Sequence, residues 1–363
     1  MRRAAVRARP RGGERISDFW DILHAHGEQY PQMEPRDFGK LAYQSEFGPE
    51  HLLPEGEGFL RRLQEEWSAV PGDQPPRPPE EVGNGLCRFH LKGGGPPEGG
   101  APLLAELVHR TAREHRGTRA GLEARLDQLA ALGVPGMAGW LADYREKDCP
   151  PVSHSQAFRA AYRPHYRLLA AEYAHWFPAL LAVRRQLEAG TPAAVVIDGR
   201  CGSGKTTLAA LLQRVFPSRV FHMDDFYLPP DRRPPDWEER PGGNMDFSRL
   251  EREVLIPVRA GRTAVYRAFD CRTGRLGEAR AVPPRPLTVL EGSYSHHPAL
   301  GRAFGLRLFL TCAPQAQERR LRLREGEGFQ AFRKRWIPLE ERYFQQGPAE
   351  ADRGLTLDTS GFF

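Results

Sequence analysis

The stretch Ala193-Ala194-Val195-Val196-Ile197-Asp198-Gly199-Arg200-Cys201-Gly202-Ser203-Gly204-Lys205-Thr206-Thr207 constrains the fold more than any other part of the chain. Its β-branched apolar run predicts a buried strand that stops at Gly199. The residues that follow fit G-x-x-x-x-G-K-[ST] and lead into the helical Leu208–Leu212. Strand, glycine-rich loop and helix, in that order, predict a phosphate-binding loop. Glycines let the backbone turn with its N–H groups pointing inward, and a helix starting near Gly204 adds the positive end of its dipole. Gly199, Gly202, Ser203, Gly204, Lys205, Thr206 and Thr207 are therefore the residues expected on a nucleotide. Lys205 is expected to reach the β- and γ-phosphates, and the Thr206 hydroxyl to ligate Mg²⁺.

At 363 residues the chain has room for two domains. Its net charge of +6 is concentrated at the start: MRRAAVRARPRGG carries five arginines and no acid, so the rest is nearly neutral. A nucleic-acid footprint needs a basic face on the folded body, and the composition does not predict one. Residues 1–13 read as a basic disordered tail. No apolar run is long enough for a membrane span and no secretion signal is evident, which predicts a cytoplasmic protein. Five scattered cysteines, none in C-x-x-C, predict no disulfide framework. Cys201 stands apart, because a thiol beside a helix N-terminus favours the thiolate, although a small residue tolerated in a variable loop position reads equally simply.

Periodicity predicts a mainly helical domain over 14–189. A first helix carries Ile16, Phe19, Trp20, Ile22 and Leu23, with Ser17 as a cap. A second covers Pro35–Gln44 and closes at Gly48, and a third covers Phe59–Trp67. Proline and glycine make 71–100 a loop, with Gly85–Leu91 as its one short strand. Further helices are expected around Leu103–Arg113, Leu122–Leu132 and Met137–Tyr144. One long helix from Ser155 to Glu188, bent at Pro164 and Pro178, should lead to a boundary at Gly190-Thr191-Pro192. His24, His26, His51, Cys87, His90, His109 and His115 lack metal-ligand spacing. Cys87-x-x-His90 is half a zinc pattern, so packed or surface side chains are the expectation. The aromatic-rich Pro31–Leu53 stretch reads either as the core of a helix pair or as the lining of a site.

Beyond the loop, Arg219–Met223 predicts a strand that delivers Asp224 and Asp225 at its carboxyl end, where ligands sit in open parallel α/β sheets. Strand alternation allows only one of the two to face the loop. Leu287–Leu290 predicts a strand ending in Glu291, a carboxylate suited to Mg²⁺ or its water, and Leu306–Leu310 another strand. Gln315–Arg324 is helical and carries Arg319, Arg320, Arg322 and Arg324. A second helix, Phe329–Phe344, carries Arg333, Lys334 and Arg335. The arginine run reads as a solvated face or as a basic lid that closes on phosphates.

Taken together, GRCGSGKTT, MDDFYLP (Met223–Pro229), NMDF (Asn244–Phe247), VYRAFD (Val265–Asp270), VLEGSY (Val289–Tyr294) and the arginine-rich lid make residues 191–363 resemble the uridine kinase and phosphoribulokinase family of P-loop kinases. The resemblance implies an α/β fold, a parallel sheet of five or more strands flanked by helices, here preceded by the helical N-terminal domain. It implies transfer of the ATP γ-phosphoryl group to a hydroxyl of a nucleoside or related small molecule. Asp224 matches the family's catalytic acid, Glu291 its metal-side acid and Asp246 the carboxylate on ribose hydroxyls. Tyr227 and Phe269 then fall on the acceptor side, and Lys205, Arg320 and Arg324 on the transferring phosphate. Asp225 stands where the family has serine, Phe247-Ser248 replaces its His-Pro, and the lid reads Arg-Leu-Arg-Glu-Gly-Glu-Gly, which leaves the acceptor open between nucleoside, sugar phosphate and vitamin precursor. An ATP-gated switch acting on a macromolecule is the reading from another class. No nucleic-acid or membrane partner is expected, and an oligomer is compatible with the sequence.

Overall fold

A computed structural model describes residues 16–53, 58–73, 75–190, 193–301, 304–346 and 350–362. The basic tail over 1–13 and the Thr191-Pro192 end of the expected boundary lie outside these residues, as does the side chain of Ser17. The chain divides into two compact units, one ending at Phe177 and the other running from Pro178 to the C-terminus. The division falls inside a helix, where the expected boundary was Gly190.

The N-terminal unit carries helices α1 (Ile16–Gln29), α2 (Pro35–Phe47), α3 (Phe59–Ala69), α4 (Gly100–Glu114), α5 (Arg119–Ala131), α6 (Met137–Glu146) and α7 (Gln156–Tyr162). They pack with an antiparallel sheet β1 (Glu80–Gly83), β2 (Leu86–His90) and β3 (Tyr166–Ala170), in that order. Two expectations are corrected here. The hairpin β1–β2 turns at Asn84-Gly85, both at positive φ, the Asn-Gly signature of a tight two-residue turn inside a segment read as mostly loop. The run 155–188 is not one helix. Arg163 takes a left-handed φ of 43° before Pro164, which disfavours helix in the residue ahead of it, and the chain then pairs Tyr166–Ala170 with β2 before α8 (Ala171–Glu188) begins. Pro178 lies within α8. Phe19, Leu23, Leu41, Leu122, Leu126, Leu129 and Leu168 form the core.

The second unit is built on a five-stranded parallel sheet of β4 (Ala193–Gly199), β5 (Ser218–His222), β8 (Leu287–Glu291), β9 (Leu306–Thr311) and β10 (Leu355–Asp358), ordered β10-β9-β4-β8-β5. Between β5 and β8 in sequence, β6 (Ala264–Asp270) and β7 (Arg275–Val282) form a separate antiparallel hairpin. Central β4 is covered on both faces, which explains its unbroken apolar run: Val195, Val196 and Ile197 are buried with Val289, Leu290, Leu308, Phe309 and Leu310 of its neighbours. Register then builds the site. Ile197 pairs with Glu291, and Glu291 with His222, so three strands end side by side at the edge where α9 (Lys205–Val215) starts. Among the described residues no helix is long and apolar enough to cross a membrane.

Candidate functional site

The loop after β4 is fixed by satisfying its carbonyls from outside. Lys205 Nζ donates to Gly199 O (2.6 Å) and Arg200 O (3.0 Å), Gln317 Nε2 to Cys201 O (2.9 Å), Arg320 Nη1 to Gly202 O (3.2 Å) and Thr359 Oγ1 to Ser203 O (2.9 Å). With every carbonyl from Gly199 to Ser203 held, the amides turn the other way. Among the described residues the N–H groups of Gly202, Gly204, Lys205, Thr206 and Thr207 take no hydrogen-bond partner, a cluster of donors joined to the orphan N–H groups of a helix start. Gly199 is obligatory: its φ is 141°, and a Cβ would lie 2.0 Å from Leu310 O. Gly204 caps α9 at a φ of 97°.

Asp198, a charge inside the apolar strand, is fully buried. Its Oδ1 accepts from Gly199 N (2.7 Å), and its Oδ2 from His296 N and the Tyr343 hydroxyl (2.8 Å each). It braces the root of the loop. A lone carboxylate at the end of a buried strand was the sequence signal for it, and the motif reading passed over it.

The Thr206 hydroxyl lies 3.2 and 3.3 Å from the two oxygens of Glu291, which is buried and also meets His222 Nδ1 at 2.5 Å. Burial opposes a charged imidazole at His222, but the hydrogen bond to Glu291 and its charge outweigh this and raise the pKa. Asp224 accepts from the Tyr227 hydroxyl (2.9 Å) and stays open to solvent, although protein surrounds it closely. That crowding, with the Glu291 carboxylate, raises its pKa; Tyr227, Lys205 and His222 pull the other way.

Asp224 and Asp225 do not sit at a strand end. They belong to a tight 3₁₀ turn, Met223–Phe226, and the turn sends them apart. Asp225 is fully buried and accepts from the Tyr266 hydroxyl (3.1 Å), while its carbonyl takes Arg249 Nη2 (2.6 Å). It is thus a core residue.

Asp246 is the N-cap of the helical turn that follows it, accepting from Arg249 N (3.0 Å) with its other oxygen 3.6 Å from Arg249 Nε. Its backbone N–H donates to Phe226 O (2.7 Å), and Met245 bridges Tyr227, which draws this segment beside the Asp224 turn. The Tyr227 ring lies 6.4 Å from Phe269 and 6.3 Å from Trp336, and Trp336 lies 6.2 Å from Trp237. The two tryptophans extend the aromatic wall beyond the residues the motifs pointed to.

The arginines do not converge on the open amides. Arg320 is spent on the outer side of the loop, on Gly202 O and on the Thr359 and Ser360 carbonyls. Arg324 pairs with the adjacent Glu325 (2.6 Å) and covers Phe332. The helix Pro314–Glu325 turns Leu321 toward Cys201 and Phe329 and leaves its other side in water, so alternate arginines separate. Cys201 is buried, and burial together with the nearby Glu340 pushes its thiol pKa up, which overturns the reactive-thiolate reading. Among the described residues no group of three metal-ligating side chains exists, and Cys87 is buried in β2 without such partners.

The five-stranded parallel sheet flanked by helices, with the loop at the carboxyl end of central β4, is consistent with a P-loop kinase fold. Neither a protein-family model nor any curated protein sequence matches the chain. Among solved structures the chain is similar to "a Possible Uridine Kinase from Bacillus stearothermophilus", at 18% identity over 49% of this chain and 100% of that one, with a TM-score of 0.37. It is also similar to the YGR205w protein, at 15% identity over 48% of this chain and 85% of that one, with a TM-score of 0.32.

Proposed function

We propose that the unit beginning at Pro178 is an ATP-dependent kinase that transfers the γ-phosphoryl group to a hydroxyl of a nucleoside or related small molecule. The observation that carries this reading is the meeting, at one sheet edge, of five open amides, Lys205, the Thr206–Glu291 pair and a separate, solvent-open carboxylate, Asp224. A phosphate loop alone would serve any nucleotide-binding protein; a second carboxylate kept apart from the metal-side acid is what an acceptor hydroxyl needs.

A hydroxyl and a buried carboxylate within 3.3 Å are hard oxygen donors suited to Mg²⁺, so Thr206 and Glu291 would hold it and it would supply charge on the β- and γ-phosphates. The open amides bind and orient the polyphosphate. Lys205 leaves its two loop carbonyls to meet phosphate oxygens, a donor exchange that keeps the ammonium satisfied throughout. Asp224, held by Tyr227, orients the acceptor O–H and receives its proton as the oxygen attacks phosphorus and the bond to ADP breaks. Tyr227, Phe269, Trp336 and Trp237 form an apolar wall that fits a flat acceptor and sheds water.

The test is a panel of nucleosides, sugars and sugar phosphates incubated with the full chain, Mg²⁺ and ATP, read by the mass of the product. A phosphorylated acceptor is expected. Slow ATP hydrolysis that no small hydroxyl compound accelerates would instead favour an ATP-gated switch.

A further inference from the structure

One carboxylate reaches the loop from far along the chain. Helix Ile337–Gln346 places Glu340 so that its Oε2 accepts the Cys201 N–H (2.8 Å), while its Oε1 accepts the Ser293 hydroxyl (2.5 Å). Glu340 is buried, 6% exposed. The next residue, Glu341, holds the Arg200 guanidinium through both oxygens (2.5 and 2.9 Å), and Tyr343 reaches Asp198. Three side chains of one helix therefore grip the loop and its root, and only Glu340 grips its backbone. The same helix follows directly on Trp336, which packs toward Tyr227 on the acceptor side.

Burying a carboxylate is costly unless its oxygens are matched, and here each oxygen has a donor. A kinase that needed only a stable fold could put an apolar side chain in this place. What the carboxylate adds is direction. It holds the Cys201 amide, directly before the open amide of Gly202, and so fixes where the turn to Gly202 begins.

We propose that Glu340 is a positioning residue for nucleotide binding: through the Cys201 amide it sets the phosphate loop in its receptive shape, and it ties that shape to the segment bearing Trp336. The inference rests on the proposed ATP site, and the experiment separates the two. Binding of Mg²⁺ and the non-hydrolysable AMP-PNP is measured by calorimetry on the full chain for wild type, Glu340→Ala, Glu340→Gln and Glu341→Ala, with the thermal midpoint of each protein without nucleotide.

Glu340→Ala is expected to weaken AMP-PNP binding by about 10-fold or more, the loss of one charge-assisted hydrogen bond to the loop. Glu340→Gln keeps an oxygen for Cys201 and gives the Ser293 oxygen a donor, so it should stay within about 3-fold of wild type. Glu341→Ala removes a partly exposed side-chain pair and should also stay within about 3-fold. Should Glu340→Ala prove unfolded, Ser293→Ala frees one carboxylate oxygen and is expected to weaken binding by a smaller, measurable factor. Wild-type affinity in a folded Glu340→Ala or in Ser293→Ala, or an equal loss in Glu341→Ala, overturns the proposal. No binding by wild type overturns the ATP site itself.

Discussion

The two units bury polar groups in opposite ways. In the N-terminal unit a network closes on itself. Arg88, 1% exposed, bonds Glu80 and Gln44; Glu80 takes the Tyr30 hydroxyl; Gln44 meets the Tyr166 hydroxyl; and Tyr166 meets His154, whose other nitrogen meets Asp37. In the unit beginning at Pro178, Asp198, Glu340 and Arg320 are engaged as well, but their effect is to leave five amides of one loop without partners among the described residues. A closed network stabilises a shape. An open one stabilises a shape that lacks a ligand, and that difference marks where chemistry is to be sought.

The largest effect that sharpens this contrast is Lys205→Ala. Among the described residues the ammonium donates hydrogen bonds to the loop carbonyls of Gly199 and Arg200 alone, so the fold should survive while turnover falls by about 10³ or more. Product formation at saturating ATP and the thermal midpoint are the two readouts. Retained turnover would place the chemistry elsewhere.

Asp224→Asn should lower kcat by roughly 10²–10⁴ with little change in ATP affinity, because a general base contributes mainly in the transition state. Asp225→Asn should do the reverse, lowering stability through its buried bond to Tyr266 and sparing kcat. Kinetics and thermal melts on both variants decide it; a dead Asp225→Asn at normal stability would shift the base by one residue.

These two sites also show what could be read in the sequence. The placement of the loop, Thr206 and Glu291 was legible because its signals are local: a motif on one turn, and a carboxylate ending a neighbouring apolar strand. Of the two aspartates Asp224 is the exposed one and Asp225 the buried one, and the 3₁₀ turn rather than strand alternation separates them. The braces Gln317, Glu340 and Thr359 were not legible, since they approach from more than a hundred residues away along helices and a turn with no motif of their own. The N-terminal network was hidden for the same reason. His154 and Asp37 are 117 positions apart, and the strand that presents Tyr166 lay inside what read as one helix.

The N-terminal unit should be the acid-sensitive one. Burial is the main cause that lowers His26, His51 and His154 to about 4 each. The unfolded chain takes these protons near 6.5, and the fold refuses them until about 4, so stability is present above 6.5 and is lost as the pH falls through this window. The other unit has both signs: His222 is raised by Glu291, whereas His296 and His297 are lowered by burial. In calorimetry from pH 7 to 5, the transition that Mg²⁺ and ATP do not shift should move down further than the one they stabilise. Equal movement of both would erase the contrast. Arg88→Ala, which leaves Glu80 buried without its partner, should lower the same ligand-insensitive transition at pH 7 by about 3–5 kcal/mol and leave ATP binding intact.

The smallest expected effect concerns Arg324, and it tests whether the open side of the contrast is complete as it stands. Arg320 and Arg324 lie one helical turn apart, and the resemblance assigned both to the phosphate. The structure gives them different neighbours. Arg320 donates to Gly202 O and Thr359, inside the bracing of the loop, so Arg320→Ala removes a charge-assisted bond and should weaken ATP binding by about 10-fold. Arg324 meets Glu325 and the face of Phe332 at the surface, where such a pair contributes about 0–1 kcal/mol. Arg324→Ala should therefore change turnover and ATP affinity by less than about 3-fold. Turnover reduced by about two orders of magnitude at unchanged ATP affinity would mean that Arg324 leaves Glu325 during the reaction to reach the phosphoryl group. The helix Pro314–Glu325 would then act as a lid as well as a brace, and the amides, Lys205 and Glu291 would not be the whole of the charge the reaction needs.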